Sequence, residues 1–582
     1  PALPDIKKIN DCLHLATACN TILFVQDNNV TIGQRKYHSK TSWRPAINMN
    51  NDHCIAREEG TKEVMQHQHQ HQGEEEASLL YEQLSEAVQE VQTAMQCSQA
   101  LSTPTLVFTQ HSGPRCLSAL GSVPRELLSN VLHLSRQLFS SNNEYVWVSR
   151  SVGAMVGMAV ADSLGQNFEF VPACDVPGGA DGTGPRFEYD GCGRGILHET
   201  RNQFQLKRGQ WTDDASMGLC LADSILCHDK YDGSHCRILY HNWWNDGLNN
   251  AFRHDNDRKK SVGLGGNISN SLYDLNRYMG HEKNVPPKYE PTKKGSQDAG
   301  NGSLMRLCAV PIFYAGSSYS EEMARESSFA THPGPMAAEA CAFVSSLIIA
   351  CIQRPVPDEV IDKTSIARNF IEDFASQYRA RLRDEIGTME EEDDPSYTAK
   401  ATLCRLLASS ESDESTERCW NWKNLDAVAD DDEMQGGTTV RKKFSRMRQC
   451  KKKQTTTTKQ QYGLDIEKTL RNRGYKYNSY PVSAAYFGSF SLDAVAMALY
   501  CVCNTTSFNE AVVRCINFLG DADTTGAITA QIAGAFYGMD SIQEEWKRDL
   551  EQWDKGGFEI RAVCLAVCGR NNRAEKEEDS LV

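Results

Sequence analysis

The sequence predicts an all-α domain running from about residue 151 to about residue 570. Three observations predict it. Apolar stretches of helix length follow one another from Val152 onward, separated by short polar loops. Small residues recur inside them, as at Gly153, Ala154, Gly157, Ala159 and Ala161, where they let helices approach closely. Strand-like alternation is scarce over the same region.

Ahead of this domain, residues 1–150 read as a partly helical extension. Pro1–Asn10 lacks the shape of a signal peptide. Gln66–Gln72 alternates His with Gln, and Glu74, Glu75 and Glu76 follow. This reads as a solvated low-complexity linker more readily than as a metal site built from His67, His69 and His71. Glu76–Gln99 places Leu80, Leu84, Val88, Val91 and Met95 at helical spacing. Ser122–Ser140 opens on Ser-Val-Pro and sets Leu127, Leu128, Val131, Leu134 and Leu138 on one side. The two helices predict a small accessory unit without chemistry of its own.

Further helices are expected over Ala215–Cys227, Pro335–Ile352, Val482–Cys503, Phe508–Phe518 and Thr525–Tyr537. The most apolar run, Met336–Ile352, is interrupted by Glu339; the remaining Ala340–Ile352 is too short to span a bilayer and reads as a buried helix. Composition breaks near Tyr378. Acidic clusters (Glu390–Asp394, Asp430–Glu433), a basic run (Arg441–Lys453) and a Thr/Gln tract predict a disordered charged insertion over about 380–461. The basic run offers a nuclear-import signal or a patch for an acidic partner, but a solvated loop is the plainer reading. Residues 571–582 read as a polar tail.

Bulk properties narrow the function classes. The chain has 582 residues, 40% hydrophobic and 8% aromatic, and a mean hydropathy of -0.50. That is enough for a full core diluted by long polar stretches. A net charge of -15 argues against general binding to nucleic acids or anionic membranes. The 21 cysteines show no paired CxxC spacing, and several, such as Cys220, Cys341, Cys351 and Cys515, sit in apolar stretches. They predict buried free thiols in a reducing compartment, the cytoplasm or else the nucleus.

The chemistry is concentrated in four short motifs. Thr212-Asp213-Asp214 stands at a helix start. One such group suffices for a cap, so three oxygen side chains in a row point to ligation of a hard cation. Asp521-Ala522-Asp523-Thr524 repeats this character before a second Gly/Ala-rich helix, more than half the chain away. If the two starts meet across a bundle, Asp213, Asp214, Asp521 and Asp523 can share a pair of metals. Gly300-Asn301-Gly302-Ser303 can present backbone N–H groups to a phosphate, or be a plain turn. Thr331-His332-Pro333 precedes the apolar helix, and His332 alone reads as a cap or a core residue.

Taken in order, VGAMVGMAVADSLGQNFEF, GQWTDDASMGLCLADSIL, SVGLGGN, GNGSLMRL, THPG and GDADTTGAITAQIAGAFYG resemble the ADP-ribosylglycohydrolase family, which includes the dinitrogenase-reductase-activating glycohydrolases. The resemblance spans about Ser151–Trp546, with an unmatched stretch from about Ala375 to Gln461. It implies an all-α fold and a cleft with two Mg²⁺ (or Mn²⁺) ions. It implies Thr212, Asp213, Asp214, Asp521, Asp523 and Thr524 as metal ligands, and Asp162 in a supporting position. It further implies that Glu169 lies at the cleft, that Gly300, Asn301, Gly302 and Ser303 line an ADP-ribose site, and that His332 reaches its phosphates or ribose. Three positions depart from the family pattern: Ala161, Ala215 and Ala299. The last leaves the adenine contact unassigned.

The expected reaction is metal-dependent cleavage of the bond between ADP-ribose and an acceptor, either a modified protein side chain or a small conjugate. Asp214 and Glu169 are the candidate proton-transfer residues. The rival readings are an ADP-ribose-binding module, a scaffold protein and a phosphate-ester hydrolase; the last would need a basic clamp for which the motifs offer little beyond Arg306. The acceptor linkage and the oligomeric state have no signature in the sequence.

Overall fold

The computed structural model describes residues 22–26, 29–33, 52–107, 117–141, 145–173, 187–189, 195–197, 202–291, 299–355, 363–389, 395–409, 420–423 and 464–581. The chain divides into two units, Pro1–His71 and Gln72–Val582. The first holds an antiparallel pair, β1 (Ile22–Gln26) and β2 (Asn29–Gly33), in the register Ile22↔Gly33. Helix α1 spans Asp52–Cys97. Residues 66–72 lie inside that helix, not in a linker. Straight-chain Gln and Glu on either side favour helix enough to carry it through the His positions.

The longer helices of the second unit are α2 (Arg125–Ser141), α3 (Val146–Gly165), α4 (Asp213–His228), α5 (Gly233–Asp246), α6 (Gly266–Asp274), α7 (Ser320–Phe329), α8 (Pro335–Gln353), α9 (Lys363–Gly387), α10 (Pro395–Ala408), α11 (Ser491–Cys503), α12 (Phe508–Ile516), α13 (Ala522–Tyr537), α14 (Glu544–Asp554) and α15 (Gly557–Leu581). Two short antiparallel ladders, β3 (Phe187–Tyr189) with β4 (Gly195–Leu197) and β5 (Lys476–Tyr477) with β6 (Tyr480–Pro481), are its only named strands among the described residues. The all-α expectation holds.

The expected accessory helices pack on the main fold rather than apart from it. Leu84, Val88, Val91 and Met95 of α1 and Val131 and Leu138 of α2 are fully buried in the common core. Gln92 Nε2 donates to Leu226 O (3.2 Å) and Asp229 Oδ1 (3.0 Å), and Arg136 grips Glu559 through Nε and Nη2.

At the centre, α3 and α13 form the most extensive helix contact in the fold. Both are buried nearly all round, which fits their predominantly apolar, Gly/Ala-rich composition. Glycines bring the two backbones together. A Cβ on Gly153 would lie 2.5 Å from Gly534 O, and one on Gly165 would lie 2.5 Å from Ala522 O. No other residue fits at either place.

Helix α8 is long and apolar enough to cross a membrane by length and composition, but 72% of that window is buried within the fold. Glu339, which interrupts it, is matched by Arg325 of α7: Nε to Oε1 at 2.9 Å and Nη2 to Oε2 at 3.0 Å. Of the thirteen cysteines whose side chains are described, twelve are buried and all are free thiols.

Three expectations change. Residues 363–387 and 395–408, which include the start of the predicted insertion, form α9 and α10. Ile371, Ala375, Tyr378 and Leu382 make a buried stripe at helical spacing that runs into the insertion's start. The acidic clusters Glu390–Asp394 and Asp430–Glu433, on which that prediction rested, lie outside the described residues. Trp420 and Trp422 dock beyond them: Trp422 Nε1 donates to Leu406 O (2.9 Å) and Trp420 Nε1 to Asp493 Oδ1 (2.7 Å). The basic run Arg441–Lys453 lies outside the described residues. Helix α11 starts at Ser491, not Val482, because Ala485 (φ 51°) and Gly488 (φ 108°) break the chain before it. Asp493 also accepts from Tyr477 Oη (2.8 Å) and Arg473 Nη2 (3.2 Å), while Tyr477 Oη accepts from Gly488 N and Phe490 N, so the broken segment is anchored. The polar tail, finally, continues α15 to Leu581.

Candidate active site

The starts of α4 and α13 meet at the floor of a cleft, and neither is capped by its own N-cap side chain. The N–H groups opening α4 are taken by Asp162 of α3. Thr212 N (2.9 Å), Thr212 Oγ1 (2.8 Å) and Ala215 N (3.0 Å) all donate to its carboxylate. With Asp162 as the cap, Asp213 and Asp214 are released from that role. A second set of bonds holds α13 in place. Phe170 N donates to Gly520 O (3.0 Å), Gly520 N to Val171 O (2.8 Å), and Asp521 N to Phe487 O (2.8 Å). Phe170 adopts φ 62° at this crossing, which turns Glu169 toward the floor.

Six carboxylates result, those of Asp162, Glu169, Asp213, Asp214, Asp521 and Asp523, none more than 8% exposed. They include two groups whose oxygens all lie within 4.8 Å of one another: Asp162, Asp214 and Asp523, and Glu169, Asp521 and Asp523. Asp523 is common to both. Burial raises the pKa of every one, and repulsion among the acids adds to it at all but Asp162. Asp521 rises to about 7, Asp523 and Asp162 to about 6, and Glu169, Asp213 and Asp214 well above the carboxylate range. Such a cluster must bind protons or cations. Asp214 Oδ1 and Glu169 Oε2 are buried with no hydrogen-bond partner. Orphan oxygens within all-oxygen groups that share one member are the donor set a pair of hard divalent cations takes.

The cleft above this floor encloses about 300 Å³. Of the residues expected at the site, Glu169, Asp213, Asp521, Asp523, Thr524, Gly300, Asn301, Gly302 and His332 line it. Thr212, Asp214 and Ser303 do not. The Thr212 hydroxyl is engaged by Asp162, and Asp214 lies within the group formed with Asp162 and Asp523. The Ser303 hydroxyl accepts from Ser328 Oγ (2.9 Å). Asn301 is turned to the carboxylate floor: its Nδ2 donates to Asp521 Oδ2 (2.7 Å) and Gly488 O (2.9 Å). His332 Nδ1 meets Thr331 Oγ1 at 2.8 Å, and burial, with Arg306 alongside, lowers its pKa to about 3, so the ring is neutral. Arg306 is not a phosphate clamp. Its guanidinium is buried on Gly302 O (2.8 Å) and Thr331 Oγ1 (2.6 Å), which fixes the loop beneath the cleft.

The sequence reading missed the walls. Phe170 stacks on Tyr486 (5.2 Å, 19°), Tyr480 packs on Tyr486 (4.2 Å), and Phe204 meets Phe170 edge-on (6.2 Å). Tyr486 Oη reaches Glu169 Oε1 at 3.5 Å. The Gly263–Ile268 segment, which runs into the start of α6, also lines the cleft. Its Gly-rich pattern was visible in the sequence, but nothing local marks Tyr480 or Tyr486, which arrive through the β5–β6 hairpin.

A family model described as ADP-ribosylglycohydrolase matches residues 143–573. The chain is 22% identical over 416 residues to the ADP-ribosylarginine hydrolase Tri1 of Serratia proteamaculans (strain 568), a match covering 70% of this chain and 77% of that one. The similarity to the ADP-ribosylarginine hydrolase Tri1 of Pseudomonas putida (strain GB-1) is also 22%, over 410 residues, 69% of this chain and 73% of that one. The ADP-ribosyl-[dinitrogen reductase] glycohydrolase of Rhodospirillum rubrum is 33% identical, but only over 103 residues, 17% of this chain and 33% of that one. With a match over well more than half its length, this chain belongs to the ADP-ribosylglycohydrolase family and is a hydrolase of that family.

Proposed function

We propose that the cleft binds the ADP-ribose moiety of a modified protein and hydrolyses its N-glycosidic bond to an arginine side chain. The observation that carries this reading is the pair of carboxylate groups sharing Asp523 on the floor of a cleft with aromatic walls. The arginine linkage is supported by the names of the relatives matched over most of their length. The half-buried ring of Tyr480, backed by the buried ring of Tyr486, supplies the stacking surface for a base or ribose that Ala299 does not.

Two divalent cations, Mg²⁺ or Mn²⁺, would be held by Asp213, Asp214, Asp521 and Asp523 with Thr212 and Thr524 beside them. Asp214 and Asp523 share one tight oxygen group with Asp162, Asp521 and Asp523 share the other with Glu169, and Asp213 and Thr524 line the same cleft. When bound, such ions would fix ribose hydroxyls and make water a better nucleophile. The protein's own contribution is positioning and proton transfer. Glu169 borders the cleft with one oxygen unpartnered, whereas Asp214 does not border it. This supports Glu169 as the group that gives a proton to the departing guanidine nitrogen as the C–N bond breaks through an oxocarbenium-like state. The attacking water forms the new C–O bond and returns a proton to Glu169. Asp162 holds the start of α4, and Asn301 aims Asp521.

The test is ADP-ribose release by the purified chain from arginine- and serine-modified peptides, with Mg²⁺ and with EDTA. Release from the arginine peptide that EDTA abolishes is expected. Release only from serine would move the linkage, and tight ADP-ribose binding without turnover of either would favour a binding module.

A further inference from the structure

A second hollow, of about 450 Å³, adjoins the cleft. It shares Phe204, Gly263 and Leu264 with the cleft and adds Trp244, Arg258 and Lys260. The two meet at the carboxylate end. A Cβ on Gly263 would lie 2.9 Å from Asp213 Cγ, and Phe204 packs on Phe170, the residue after Glu169. The other end of the cleft, where His332 and Ile268 crowd Gly302, has no part in this hollow. A group leaving the reacting centre on the Phe204 side therefore enters it.

Its charge is opposite to that of the cleft. Four carboxylates and no Lys or Arg line the cleft; two cations and no acid line the hollow. Neighbouring cations are committed elsewhere: Lys207 to Asp255 and Asp257, both at 2.8 Å, and Lys259 Nζ to Asp255 O at 2.6 Å. Arg258 lies over the Phe252 ring (5.3 Å), and its Nη1 is buried without a hydrogen-bond partner. Lys260 is exposed, its ammonium 5.9 Å from the Trp244 ring centroid.

We propose that this hollow is an acceptor subsite. It receives the polypeptide beside the modified side chain and reads an acidic residue there through Arg258 and Lys260, with Trp244 and Phe204 against its apolar part. The proposal rests on the reading of the cleft given above. Two cations suit one or two carboxylates. A polyanion would bring many phosphates toward a chain of net charge -15, which repels them.

The test uses the full chain with Mg²⁺ and three substrates: ADP-ribosyl-arginine, a peptide with Glu on both sides of the modified arginine, and the same peptide with Gln. KM for the Glu peptide should be about tenfold below that for the Gln peptide, and the gap should close at about 0.5 M salt. In the double variant Arg258→Gln/Lys260→Gln, KM for the Glu peptide should rise to the Gln value. Its kcat, and all constants for ADP-ribosyl-arginine, should stay unchanged, which also shows that the variant is folded. Equal KM values for the two peptides in the unmodified chain, or an equal rise for both in the variant, would overturn the proposal. So would unchanged peptide constants with selective loss of ADP-ribose-polymer binding. If no arginine conjugate is turned over at all, the proposed function fails on its own. The subsite is then judged by fluorescence anisotropy of the labelled, unmodified peptides: a Glu preference lost in the double variant supports it, and no preference overturns it.

Discussion

Gly165 closes α3 against the start of α13, and replacing it by Ala tests whether that helix contact sets the carboxylate geometry. The added methyl would lie 2.5 Å from Ala522 O and Asp523 Cα and 2.6 Å from Asp523 N. Non-bonded carbons rest at about 3.5–4.0 Å, so the turn carrying Asp521 and Asp523 must withdraw by about 1 Å. It is tied to Phe487 through Asp521 N and to Asn301 through the Asp521 carboxylate, so the displacement distorts both. Asp523 belongs to both carboxylate groups, and metal sites hold their ligands to about 0.2 Å. Stability should fall by about 1–3 kcal/mol and turnover by about 100-fold, with a clear loss of divalent-cation affinity. The control is Gly534→Ala, which places a methyl against Gly153 O at the far end of the same helix pair, about 18 Å away along α3. It should lose similar stability but keep its cation affinity. Urea unfolding, Mn²⁺ titration calorimetry and ADP-ribose release measure the three quantities. If Gly165→Ala binds cation as the unmodified chain does, or if both variants lose affinity equally, the link between helix contact and cluster is refuted.

Asn301→Ala removes the amide that aims Asp521; cation affinity or turnover should drop about 10–100-fold while the fold persists by circular dichroism. Glu169→Gln should keep ADP-ribose binding and lose turnover by about 10²–10⁴-fold, and full turnover would remove Glu169 from the proton path. In the chelated protein the cluster carboxylates have folded-state pKa values above their unfolded ones, so the folded state holds more protons. Stability should therefore fall as pH rises from about 4 through about 7, and Mg²⁺ should restore it at neutral pH; thermal melts across pH with EDTA or Mg²⁺ check the sign. Asp493→Ala leaves Trp420, Tyr477 and Arg473 without this shared acceptor and should cost about 3 kcal/mol in urea unfolding.

The parts that were legible in the sequence are those with local signatures. Thr212-Asp213-Asp214 and Asp521-Ala522-Asp523-Thr524 declare themselves because several oxygen ligands sit within one turn of a helix start. The all-α fold declares itself through unbroken apolar periodicity. What was illegible depends on partners distant in sequence. Only the family resemblance places Asp162 in a supporting position; how it supports the site shows when Thr212 and Ala215 are seen donating to it. Asn301 resembles a phosphate-loop residue until its amide is found on Asp521. The predicted insertion starts too early, because the charge runs that follow outweigh Leu382 and Leu403, whose burial shows helices packed on the core there. The helix through 66–72 shows that a repetitive polar sequence need not be a linker when its residues favour helix.

The glycine-mediated contact of α3 with α13 has a consequence for how the molecule can diverge. Where backbone touches backbone, no side chain is left to vary and no slack is left to slide, so the carboxylate-bearing floor is a fixed stage. The aromatic hairpin and the Gly263–Ile268 loop meet it only at their edges and can be rewritten by substitution or insertion. Chemistry and choice of acceptor are thereby mutationally separable: a lineage can exchange clients by editing loops while the reacting centre is inherited intact.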